Sequence, residues 1–307
     1  MTLGEIVSYA CGKVGLTDDT AKARARSYAA MRYQLIFRSA LWKDALSIYT
    51  KALAANANTV ILPSQVEKVL GVRSGSRALM PADQVFLFND DPLAWERSGG
   101  EVQFTLPAVT ALSGAPQTGG EKLRFVSSNN SDTTKKVTIY GRDANQEEAT
   151  EVLTLNGTSN VDSVNSYEEV YLLSKDVTAG AVTVTGVSST AALQSLRPTE
   201  TLRRHTRVRI HDTPVEAVTL SVLAKRRPNP LENDTDSTLL PALDNALLAL
   251  VLGDMLQWQD AYAKGNTCFD EGNALLESLK KTEVWQEARR IVMSPSDGCG
   301  DFERPWE

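Results

Sequence analysis

The sequence predicts an α+β protein in which both chain ends form an α-helical bundle, a small antiparallel sheet follows, and an all-β sandwich is inserted between the ends. Three observations carry this expectation. Apolar residues fall at helical spacing over residues 3–49 and again over residues 239–291. The period is extended near residues 60–72 and 203–224. Between residues 105 and 195 the composition shifts to Ser, Thr, Asn, Gly and Val, with short alternating segments separated by turn clusters, as in a sandwich. The expected division is a helical core with a short sheet from residues 1–104 and 196–307, an inserted sandwich at 105–195, and a flexible C-terminal arm at 294–307.

Thr2-Leu3-Gly4-Glu5 has the spacing of a capping box, in which hydroxyl and carboxylate satisfy free backbone donors. Ile6, Val7, Ala10, Cys11 and Val14 then give a first helix that Gly15 ends. Thr17-Asp18-Asp19 offers a new N-cap for a long helix over residues 20–49. Its apolar stripe is expected to be Tyr28, Leu35, Trp42 and Tyr49, seven apart, with Met31 and Leu46 beside them. Val60-Ile61-Leu62 and the segment from Val66 to Val72 read as strands, and Phe86, Phe88, Trp95 and Phe104 as residues a sheet could bury. Within the Ser/Thr-rich region, strands are expected around residues 122–126, 137–140, 152–155, 170–173 and 182–185. Two more are expected over 203–210 and 215–224. Leu239-Leu240-Pro241 then opens a helix with Asp236 or Ser237 as cap, and Gly265-Asn266 is expected to break it from a last helix that carries Phe269, Leu275, Leu276 and Leu279.

Length and composition narrow the class. A chain of 307 residues suits one domain plus a second or inserted one. With 42% apolar and 23% charged residues it is ordinary globular material. A net charge of −6 makes the whole chain no counter-ion for nucleic acid or an anionic membrane, although DNA can pass along a mildly acidic surface without sticking. Cys11, Cys268 and Cys299 form no CxxC pair and suit a reducing compartment. No apolar run near residues 1–14 is long enough for a signal peptide or membrane span, so synthesis in a cytoplasm is expected, and the sequons at Asn129 and Asn156 are read as chance.

Catalytic constellations are sparse. The two histidines, His205 and His211, lie on or near an extended segment and in no HExxH, GxSxG, P-loop or GxGxxG context. A glycosidase pair of carboxylates is not excluded by counting, yet the sandwich is small for such a catalytic domain. No catalytic residue, metal or cofactor is expected. Arg203, His205, Arg207 and Arg209 alternate and would share one face of a strand, either as a solvated sheet face or as a basic stripe facing DNA or an acidic neighbouring subunit. Asp234-Thr235-Asp236 could ligate a cation but precedes a helix, where such residues cap. Asn129-Asn130-Ser131-Asp132 reads as a hairpin turn.

Taken in order, three segments resemble the head-to-tail adaptor (connector) family of tailed bacteriophages, the tail tubular protein A group. They are the stretch from Ile61-Leu62-Pro63 to Val72 after the first two helices, Trp95-Glu96-Arg97-Ser98-Gly99-Gly100-Glu101-Val102, and Ala224-Lys225-Arg226-Arg227-Pro228-Asn229-Pro230-Leu231 with Asp234-Thr235-Asp236, Leu240-Pro241 and the following helix. The insertion resembles β-sandwich modules of phage neck and tail proteins. The resemblance implies a non-enzymatic virion protein made in the host cytoplasm. It would assemble as a dodecameric ring below the portal protein and extend the channel through which genomic DNA passes. It would also present a platform to tail, nozzle and fibre proteins. It further implies that the C-terminal arm orders on the portal, which places Trp285, Arg289, Arg290, Ser294, Pro295, Asp297, Phe302 and Trp306 at that contact. Arg203, Arg207 and Arg209 are the expected subunit or channel contacts. The alternative reading is a carbohydrate-binding or other tail-associated attachment protein, suggested by the sandwich and its Asn, Ser and Thr turns.

Overall fold

The computed structural model describes residues 1–82, 103–107, 109–211 and 213–284. They form a mixed α+β protein, and the chain divides into two compact units, Met1–Leu46 with Pro228–Glu307 and Ser47–Arg227. This division groups the sheet with the insert, whereas the sequence grouped it with the helices. No helix among the described residues is long and apolar enough to cross a membrane.

In the first unit, α1 (Leu3–Val14) starts on the expected capping box: the Thr2 hydroxyl accepts from the Glu5 amide and the Glu5 carboxylate accepts from the Thr2 amide. It stops at Gly15, whose left-handed φ of 75° a residue with a Cβ adopts only at a cost. α2 (Asp19–Ser39) is capped by Asp18 and ends ten residues earlier than expected. Lys43–Ala45 is a 3-10 turn, and Leu46–Leu53 is strand β1. The expected stripe is also corrected. Met31 and Leu35 are 46% and 58% exposed, while Ala21, Ala25, Ala29, Tyr33, Ile36 and Phe37 are buried. Alanines at every fourth position let α2 lie close to its neighbours, so the small residues rather than the large ones mark the inner face. Trp42, beyond the helix, is buried and donates from Nε1 to the Ile36 carbonyl at 2.9 Å.

α3 (Asp244–Trp258) and α4 (Tyr262–Glu283) follow a 3-10 turn at Pro241–Leu243. Neither Asp236 nor Ser237 caps α3. Asp236 instead accepts from the Glu232 and Asn233 amides at 2.8 and 2.7 Å, and Asp234 makes a two-point pair with Arg26. The same loop caps α1 from outside, because the Asp236 and Asp234 carbonyls accept from the free amides of Leu3 and Gly4. Gly265 does not break a helix. It lies buried inside α4, where an added Cβ would stand 3.1 Å from the Gly253 carbonyl of α3, and Gly272 meets Leu250 in the same way. These glycines serve close helix approach, and the break falls at residues 259–261. Arg32 ties α2 to α3 through both oxygens of Asp254, at 2.8 and 2.6 Å.

In the second unit, a seven-stranded sheet runs β1-β14-β3-β4-β5-β13-β2. Its other strands are β2 (Thr59–Ile61), β3 (Val66–Ser74), β4 (Arg77–Pro81), β5 (Gln103–Thr105), β13 (Arg207–His211) and β14 (Val218–Arg226). The sheet is larger than expected, and β4 and β5 are parallel neighbours. Val60, Val72, Phe104, Val208, Ile210 and Val222 supply one core. Phe86, Phe88 and Trp95 lie outside the described residues.

Between β5 and β13, two further sheets share a separate core that includes Leu123, Phe125, Ile139, Tyr167, Leu173 and Val184. One is β10-β7-β8, from β7 (Lys136–Arg142), β8 (Glu148–Thr154) and β10 (Glu169–Lys175). The other is β12-β11-β6-β9, from β6 (Glu121–Ser127), β9 (Val161–Tyr167), β11 (Val182–Gly186) and β12 (Ala192–Leu196). The Asn129–Asp132 segment is not a hairpin turn, because β6 and β7 belong to different sheets. Its anchor is Asp132, 1% exposed, which accepts from the Ser127 hydroxyl at 2.6 Å and from the Ala179 and Gly180 amides at 2.8 and 3.0 Å.

Candidate functional site

Where the insert meets the seven-stranded sheet, alternation on β13 decides which side chains face which way. Val208 and Ile210 point into the core and Arg207 and Arg209 to the opposite face. The three-stranded sheet of the insert brings Arg142, at the end of β7, opposite Glu169, at the start of β10. Glu169 then lies between two guanidinium groups, 2.6 Å from Arg207 Nη1 and 2.9 Å from Arg142 Nη2, and accepts from the Tyr171 hydroxyl at 3.1 Å. Burial pushes the Glu169 carboxyl up, but Arg207, Tyr171 and Arg142 outweigh it and hold the group below the usual carboxylate range. Burial pushes the Arg209 guanidinium down, as does its neighbour Arg207, while Glu169 acts against both.

These residues open onto a cleft of about 320 Å³, lined by Thr59 and Ile61 of β2, by Thr110, Gly114, Ala115, Pro116 and Thr118, by Arg142, Glu168, Glu169 and Val170, and by Arg207. None of these twelve side chains is aromatic. The buried Nε of Arg142 has no hydrogen-bond partner. Glu168 accepts from Gln146 at 3.0 Å. Arg142 Nη2 and Arg207 Nη1 are both engaged by Glu169, and the unpartnered Nε of Arg142 is enclosed. The cleft brings together no nucleophile with a base, and among the described residues no group of His, Cys, Asp or Glu has the arrangement of a metal site.

A second constellation clasps insert to sheet. His205 is buried and bridges Thr110 through two backbone hydrogen bonds of 2.7 and 3.0 Å. Gln194 fixes its tautomer. The Gln194 oxygen accepts from the Ser195 amide, so its nitrogen donates both to the Ala111 carbonyl at 2.8 Å and to His205 Nε2 at 2.7 Å. Nδ1 therefore carries the proton and donates to the Leu62 carbonyl at 3.0 Å. Burial, with Arg203 and Arg227 nearby, lowers the His205 pKa despite the Leu62 hydrogen bond.

The expected basic stripe is thus not one face. Arg207 and Arg209 share β13, but Arg203 precedes the strand and pairs with Glu200, and His205 is turned inward. Arg207 is committed to Glu169, with its side chain 15% exposed. Trp285, Arg289, Arg290, Ser294, Pro295, Asp297, Phe302 and Trp306 lie outside the described residues. Sequence reading missed Arg142 and Glu169. The one local signal was the Glu168-Glu169 pair opening an alternating segment, which by itself names no partner.

Compared with known proteins, the chain matches no family model, and no curated protein sequence matches it.

Proposed function

We propose that the chain is a structural subunit of a tailed-phage virion, a head-to-tail adaptor that forms a ring under the portal protein. In this reading it extends the DNA channel and carries tail, nozzle or fibre proteins. The observation that carries the proposal is that the two chain ends, separated by 181 residues of sequence, fold into one helical unit. The three segments resembling the adaptor family led to an expectation that the two helical ends associate, and their grouping in one unit supports that part of the reading. The four described helices are then the helical bundle, and the two small sheets with their own core are the inserted sandwich. The outer face of α2 supports self-association, because Met31 and Leu35 are apolar surface that a ring neighbour would cover. The cleft supports binding rather than catalysis. Its lack of an aromatic lining gives a sugar ring nothing to stack on, which disfavours the carbohydrate-binding alternative.

The test is the mass of the purified chain, alone and mixed with the portal protein of the same genome, by light scattering and negative-stain microscopy. The expected result is a ring, either alone or only on the portal. A chain that stays monomeric and ignores the portal overturns the proposal.

A further inference from the structure

We infer that Asn156-Gly157, at the turn between β8 and β9, is a site of spontaneous modification that the fold holds shut: deamidation of Asn156 through a cyclic imide. It is the one Asn-Gly pair in the sequence. In this chemistry the Gly157 nitrogen attacks the side-chain carbonyl carbon of Asn156, and the side-chain nitrogen leaves as ammonia. Water then opens the ring at one of its two carbonyls and leaves aspartate or isoaspartate. A following glycine favours ring closure, because no Cβ stands beside the attacking nitrogen. Asn156 itself is exposed. The turn needs that glycine for a separate reason. Asn156 and Ser159 pair across two residues, and Gly157 takes the first central position with φ 57°. A Cβ added there would stand 2.6 Å from the Asn130 carbonyl oxygen. The chemical liability is thus a consequence of a tight turn packed against the connection from β6 to β7.

The same packing keeps the ring from closing. The Gly157 nitrogen must lose its proton to attack, and its N–H donates to the Asp132 carbonyl at 3.0 Å. The Gly157 carbonyl accepts from the Ser127 amide at 3.1 Å, so the peptide units on both sides of the glycine are tied down. Asp132 is fixed in turn by its carboxylate, which accepts from the Ala179 and Gly180 amides. Attack requires the Gly157 nitrogen to leave Asp132 and turn toward the Asn156 side chain, which only an opened segment allows. Conversion to isoaspartate then adds a methylene to the main chain between Leu155 and Gly157, and the two bonds of Gly157 cannot both re-form in register. An opening that runs through to product is irreversible, so this turn records how often that corner of the insert opens.

The test follows the full chain at mildly alkaline pH by peptide mass mapping, which reads the change from amide to acid, with isoaspartate separated from aspartate by chromatography. Unfolded in urea, the chain should convert Asn156 before any other asparagine. Folded, it should convert Asn156 at least about a hundredfold more slowly, because the rate then tracks the open fraction. Asp132→Ala frees the loop but leaves Asn156 and Gly157 in place, so it should recover most of that difference while hydrogen exchange in the helical unit is unchanged. If this variant does not fold, the wild-type chain decides. Conversion of Asn156 and hydrogen exchange at the Gly157 amide should share one dependence on urea, since both need the same opening. Conversion in the folded chain at the unfolded rate, or another asparagine converting first in urea, overturns the inference. So does a folded Asp132→Ala that converts like wild type, or a urea dependence that differs between conversion and exchange.

Discussion

Asp132 holds together two connections of the insert that are far apart in sequence, and its removal should be costly in a way that can be worked out. Its Oδ1 accepts from the Ala179 amide, and Oδ2 from the Gly180 amide and the Ser127 hydroxyl. Asp132→Ala leaves two backbone donors without acceptors, at about 1–3 kcal/mol each when buried, while the Ser127 hydroxyl can rotate to another acceptor. About 3 kcal/mol is the expected loss, or roughly a hundredfold in an opening equilibrium. Asp132→Asn preserves shape but points an NH2 group at one of these donors, so it should lose about 1–3 kcal/mol as well. Hydrogen exchange read on peptides covering β6, β7 and β11 isolates this unit from the helices. Exchange should quicken by about two orders of magnitude in Asp132→Ala and by at least about fivefold in Asp132→Asn. Burial pushes the Asp132 carboxyl up, but Ser127 and the two amides prevail and hold it below the usual range. The folded value therefore lies below the unfolded one. The stabilisation is complete above the ordinary Asp value of ~3.9 and is lost as the pH falls from there through the folded value. Asp132→Asn should flatten that acid limb. Wild-type exchange rates in Asp132→Asn at neutral pH would refute the reasoning.

Two further outcomes follow from particular contacts. Gly12→Ala in α1 meets nothing within 4 Å and should stabilise the helical unit by about 0.5–1 kcal/mol, whereas Gly272→Ala in α4 places a Cβ 2.8 Å from Leu250 Cγ. Overpacking of about 1–3 kcal/mol outweighs the helix gain there, so urea midpoints followed by tryptophan fluorescence should move in opposite directions. His205 is held neutral, with its pKa lowered first by burial. The unfolded chain therefore takes up a proton that the folded clasp refuses, and stability should fall as the pH drops from the ordinary His value of ~6.5 toward the folded value. Melting temperatures across that window should lose this slope in His205→Gln, and an unchanged slope would assign it to other groups.

What could be read from the sequence was set by locality. The Thr2 and Glu5 capping box and the Gly15 stop are decided within four residues and were read correctly. The strands of the insert that alternate strongly, such as β7 and β11, were legible for the same reason. The two strands of the insert that went unseen, β9 and β12, are both edges of their four-stranded sheet, and edge strands need fewer apolar residues to stay in place. Large side chains misled on α2, where four-residue spacing of alanines carried the signal, and Gly265 read as a breaker when its role is contact with Gly253. The cleft was hidden because Glu169 finds its partners 27 and 38 residues away, and no local pattern encodes such a meeting.

The route by which the insert joins the sheet has a mechanical meaning. The chain leaves the sheet on β5 and returns on β13, which are antiparallel neighbours, Thr105 beside Arg209. Two tethers about 4.8 Å apart allow little swivel, unlike a single flexible linker. A pull on the insert along the strand axis draws both tethers the same way and leaves the bonds between them unloaded. The force passes instead to the outer neighbours, β4 and β2, as shear across bonds perpendicular to the pull. Those bonds must yield together rather than one after another. The insert is therefore mounted as a rigid bracket, able to pass tension from whatever it holds into the sheet.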